Sequence, residues 1–118
     1  MRRALPALLL AALLAAPVVA AAAKARDIGR HSTLAQVDAA IRKVAPVGGD
    51  VDPALAYLRA NHVEHSDTPR TRTVYAIVRN IRGGSILSLV EKSASIRILY
   101  DEQRHVTEVD VHADYTSL

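Results

Sequence analysis

The side chains best equipped for chemistry in this chain are acids and histidines, and they fall in three short stretches. Glu108, Asp110, His112 and Asp114 alternate with apolar residues near the C-terminus. On a strand, successive members of such a row project from one face about 7 Å apart, so neighbouring carboxylates and an imidazole could share a hard divalent cation. The segment "HVEH" sets His62 and His65 three apart, with Glu64 between them. On a single helix those imidazoles would share a face, as zinc ligation requires. However, a zinc-protease helix carries glutamate directly after its first histidine, where this chain has Val63. The third stretch, "ILYDEQRHVTEV" at residues 98–109, holds Asp101, Glu102, Arg104, His105 and Glu108 between apolar flanks. Acid, base and cation together are what proton-transfer catalysis uses. They are equally what the solvated tip of a hairpin contains.

Stricter catalytic spacings are absent. There is no Gly-x-Ser-x-Gly, no Ser-x-x-Lys, no glycine-rich phosphate loop and no cysteine. The residues therefore point away from an enzyme and away from a bound cofactor. Glu108, Asp110, His112 and Asp114 stay as weak metal candidates only, because polar–apolar alternation is also the ordinary signature of a half-buried strand.

The elements that must position these residues follow from periodicity. Leu34, Val37, Ile41 and Val44 recur at helical spacing, and Thr33 with Gln36 matches a capping box. Pro46 and Gly48-Gly49 end this helix. A second helix is expected from Asp52 as N-cap with Pro53 in first helical position, stopping near Asn61. That stop takes His62 and His65 off any common helix and leaves them in a loop.

Beyond this the period drops to two. "TVYAIVRNI" reads as a strand, and Arg82 to Ser85 as a turn. "SILSLVEKSASIRILY" reads as a long strand, with a loop or one helical turn as the alternative for its first five residues. "HVTEVDVHADY" is the last strand. Val106 is out of phase with Val109, Val111, Ala113 and Tyr115, which predicts a β-bulge near Thr107-Glu108. Asp101 to Arg104 then form a hairpin loop. The expected fold class is α+β: two short helices packed on one face of a three-stranded antiparallel meander sheet.

The first 23 residues have a different character. A charged "MRR", an apolar run and the small-residue stretch around Ala20 and Ala22 form the pattern of a cleaved signal peptide. Residues 24–31 read as a flexible tether, and 32–118 as one domain. The expected location is periplasmic or secreted, with no stable membrane insertion after cleavage. Removing Arg2 and Arg3 lowers the net charge from +3 to +1, and the chain has neither Trp nor Phe for base stacking. Nucleic acid is not an expected partner.

The export signal, the element order, "STLAQV" at the first helix and "ILYDEQRHV" at the hairpin together resemble the BamE/SmpA/OmlA-like small periplasmic domains, over Thr33 to about Tyr115. The lipobox cysteine of the lipoprotein members is missing, and Arg104 stands where the turn often has Gly. The resemblance implies a non-catalytic scaffold that binds other envelope proteins. A PepSY-like or β-lactamase-inhibitor-like module restraining a secreted enzyme is the alternative, and a small metal-binding periplasmic protein a further one. The strand "TVYAIVRNI" is apolar in both phases, and two short helices cover only one sheet face. Tyr75 and Ile77, with Leu99 alongside and Arg79 and Arg97 as a charged rim, are therefore the expected partner-binding residues.

Overall fold

The computed structural model describes residues 25–84 and 89–117. The signal-peptide reading of 1–23 lies outside these residues, as do positions 85–88 of the segment 85–89; Leu89 lies in a turn, and the strand begins at Val90. The first helix, α1, spans Leu34–Val44, and its entry is the predicted capping box. The Thr33 hydroxyl accepts the Gln36 N–H at 3.1 Å, and the Gln36 side chain accepts the Thr33 N–H at 3.0 Å. Two amide groups that the helix cannot satisfy internally are thus paired. Val37, Ala40, Ile41 and Val44 form the buried stripe.

The second helix, α2, spans Asp52–Ala60, but Asp52 is its first residue and Val51 its N-cap. The carboxylate that meets the helix start belongs to Asp50, which accepts the Asp52 N–H at 2.9 Å. Asp52 turns to another partner, described below.

Four strands follow, not three: β1 Glu64–Thr68, β2 Thr73–Val78, β3 Val90–Tyr100 and β4 Val106–Ser117. They form one antiparallel sheet in sequence order. The additional strand is "EHSDT", whose composition carries little β signal beyond Thr68. It is a strand because it lies at the sheet edge and pairs in register with β2, Glu64 opposite Ile77 and Thr68 opposite Thr73. Backbone hydrogen bonds suffice there, and side chains at an edge stay largely in water.

Register fixes the faces. Val74, Ala76 and Val78 stand opposite Ile98, Ile96 and Ala94, and all six are buried. They join Val37, Ile41, Val51, Ala54 and Leu58 in one apolar cluster. The segment 25–31, polar enough to read as a tether, runs against α2. Ile28 is only 6% exposed, and its N–H donates to the Asn61 side chain at 3.1 Å. The Tyr57 hydroxyl donates to the Arg26 carbonyl. Burial, with Asp27 nearby, pushes the Tyr57 hydroxyl pKa up to about 12.

The β3–β4 hairpin turns over Asp101 to His105. The Asp101 carboxylate accepts the N–H groups of Gln103 and His105, both at 2.9 Å. Arg104 adopts φ 64°, the left-handed conformation that completes a three-residue hairpin loop. The expected bulge is present: Leu99 pairs with Glu108 but Tyr100 with Val106, leaving Thr107 as the extra residue. The loop between the helices pairs with the start of β4. Gly48 N–H donates to the Val106 carbonyl and Val106 N–H to the Gly49 carbonyl, each at 2.7 Å.

Candidate functional site

The cross-strand register places two sets of residues, singled out for different reasons, on a single surface. Tyr75 stands opposite Arg97, and Arg97 opposite Asp110. Ile77 stands opposite Ser95, and Ser95 opposite His112. Facing side chains share a sheet face, so these rows lie on the side away from Val74, Ala76, Ile96 and Ile98. Together with Glu64 and Ser66 of β1 they line a shallow, open depression of about 770 Å³.

The surface is mixed: Tyr75 and Ile77 of β2 are its apolar part, Ser95 and Arg97 of β3 lie beside them, and Glu64, Asp110 and His112 stand on the outer strands. Tyr75 is 47% exposed, unusually open for a tyrosine on an inner strand, while Ile77 is half-buried beside it. Arg97 is exposed and makes no ion pair among the described residues; the Asp110 carboxylate opposite contacts His112 Nδ1 at 3.0 Å. Arg79 lies at the end of β2, outside the depression, and donates to Glu64 at 2.9 Å. That hydrogen bond holds the Glu64 carboxyl below its usual pKa. Leu99 shares the face one row further on, between Thr73 and Glu108, and is half-buried. Of the five expected partner-binding residues, Tyr75, Ile77 and Arg97 line the depression, while Arg79 and Leu99 flank it.

The acidic row has its own internal organisation. His112 contacts Asp110 through Nδ1 at 3.0 Å and Asp114 through Nε2 at 3.6 Å, and Asp114 accepts the Ser95 hydroxyl. Both imidazole nitrogens therefore face carboxylates of their own strand. Glu108 lies two residues before Asp110, next to the bulge at Thr107. Among the described residues no three His, Asp or Glu side chains converge on a point a metal ion could occupy. His62 follows the C-cap of α2 with φ 55°, and His65 lies in β1 with Nδ1 donating to the Val63 carbonyl at 2.7 Å. They share no helix face.

One cluster escaped sequence reasoning. Arg104 Nη2 donates to Asp52 at 2.7 Å and to Asp67 at 3.2 Å, its guanidinium lies 4.9 Å from the Tyr100 ring centre, and the Tyr100 hydroxyl donates to Asp67 at 2.6 Å. The hydrogen bond to Asp52, above all, raises the Arg104 pKa. Burial, then the bond to Asp67, raises that of Tyr100. These groups tie α2, β1 and the hairpin together. Their separation in sequence leaves no local signal by which to find them.

Set beside the models of known protein families, the curated proteins and the solved structures, the chain matches none of them.

Proposed function

We propose that this is a small exported, non-catalytic protein-binding module of the cell envelope, which uses the outer face of its sheet to hold another envelope or secreted protein. The reading takes both helices to cover the opposite face, leaving Tyr75, Ile77 and Arg97 for the partner. A single observation carries it. An inner strand flanked by neighbours on both sides presents Tyr75 to solvent at 47% exposure beside half-buried Ile77 and an exposed Arg97 that has no ion-pair partner among the described residues. Exposed apolar side chains beside charged ones commonly mark an interaction site, and Tyr and Arg are the residues that most often dominate such contacts. The scaffold role implied by the BamE/SmpA/OmlA-like resemblance agrees with this reading.

The test is capture from an envelope extract by the immobilised protein and by its Tyr75→Asp and Ile77→Asp variants. Capture lost in both variants, with circular dichroism unchanged, is the expected outcome. Capture that survives both substitutions overturns the assignment of this face. A captured hydrolase whose activity falls would give the module a restraining role.

A further inference from the structure

The outer edge of β4 carries a second feature, independent of the sheet face. In an antiparallel sheet each residue turns both its N–H and its C=O to one side, alternately along the strand. The Tyr100 N–H donates to the Arg72 carbonyl, and the Lys92 carbonyl accepts the Ile81 N–H. The even-numbered residues of β3 therefore turn their main chain toward β2. Their partners across in β4 are Val109, Val111, Ala113 and Tyr115, and these turn theirs outward. Val109 agrees, since its carbonyl accepts Arg42 Nη2 at 3.3 Å. At the beginning of the strand the loop 48–49 satisfies the outward groups of Val106. From Val111 to Ser117, among the described residues, nothing pairs with the outer edge.

Natural sheets protect such an edge with charged side chains, lysine above all, with proline or with a bulge, and the charges along residues 109–117 are the carboxylates Asp110 and Asp114. Here the bulge lies at Thr107, too early to protect it, and residues 109–117 contain neither lysine nor proline. The side chains instead suit one particular neighbour, the same strand running the other way.

We infer that two copies of this chain pair antiparallel through the outer edges of β4, about a two-fold axis at Ala113, to form a continuous eight-stranded sheet. Charge selects the register. Centred on Ala113, His112 faces Asp114 of the second copy at both symmetric positions, Val111 faces Tyr115, and Asp110 faces Thr116. Centred on His112, Asp110 would face Asp114 twice. Centred on Asp114, that carboxylate would face itself. Like charges directly opposite are destabilising, whereas an imidazole opposite a carboxylate can donate a hydrogen bond to it. The Ala113 register also matches outward-facing main chain with outward-facing main chain, since Val111, Ala113 and Tyr115 all belong to that set. Tyr115, 63% exposed in one chain, would gain an apolar neighbour. The helix α1 reaches β4 at Val109 through Arg42, at the far end from Tyr115, so the two helices would stand apart.

Sedimentation at micromolar concentration should report a dimer. The Ala113→Cys variant, in a chain with no other cysteine, should cross-link to itself under oxidation, since directly paired α-carbons lie within disulfide reach. Cysteine placed singly at Val111 or Tyr115 should not, whereas a mixture of those two variants should. His112→Asp should weaken the dimer roughly tenfold by setting two carboxylates face to face at both positions. The exchange His112→Asp with Asp114→His should restore it. A monomer at all concentrations, or self-linking at 111 with none at 113, would overturn the inference.

Discussion

Arg104 shows how a single residue can carry opposing contributions. A left-handed backbone costs a residue with a β-carbon about 1–2 kcal/mol relative to glycine, yet the position holds an arginine at φ 64°. What offsets that cost is the reach of its side chain to Asp52 and Asp67 and its stacking on Tyr100. Both ion pairs are partly exposed, so each contributes only a fraction of what a buried pair would. Two substitutions separate the effects. Arg104→Gly removes the side chain but relieves the backbone, and should unfold within about 1 kcal/mol of the parent chain. Arg104→Ala removes the side chain and keeps the strain, so it should lie about 1 kcal/mol or more below the glycine variant. Urea unfolding of both checks this, and equal stabilities would mean that the turn relaxes around alanine.

At the scale of elements, what was legible in the sequence was what local chemistry determines. Thr33 with Gln36 specifies a helix start through side chains three residues apart, and the box is present. Val106, out of step with Val109, announces the bulge that the register contains. What stayed hidden was what only distant partners determine. "EHSDT" is a strand solely because β2 lies beside it, and Ile28 is core solely because α2 receives it. Asp52 looks like a cap in sequence, but Arg104, far along the chain, engages it while Asp50 meets the helix start. The candidate face was half legible, since two-phase apolarity marks Tyr75 and Ile77, but nothing local sets them beside Asp110 and His112. The helix cap gives a direct measurement: Thr33→Ala should lower the unfolding free energy by about 1 kcal/mol, read from the urea midpoint. The loss should come without change in the sheet, because the hydroxyl serves only the first turn of α1.

For the molecule as a whole, acid should be the destabilising direction. Backbone N–H groups of His105 and Gln103 hold the Asp101 carboxyl below its ordinary value of 3.8, and Arg79 holds Glu64 below 4.5. A carboxylate whose folded pKa is depressed contributes fully above its unfolded value, and the contribution is lost as pH falls through the folded one. Urea midpoints taken from about pH 7 down to about pH 2 should therefore fall across the acid limb. Asp101→Asn should begin less stable at neutrality and decline less steeply. The pairing of Gly48 and Gly49 with Val106 has a different consequence, one of timing. A chain emerging from its N-terminus exposes the apolar stripes of α1 and α2 well before the strands that cover them exist. The loop joining those helices cannot close its hydrogen bonds until the last hairpin has been synthesised. Contacts so distant in sequence form slowly, because the intervening chain must be ordered before they repay it. The loop between the helices, made early, is therefore among the last parts of the chain to be secured.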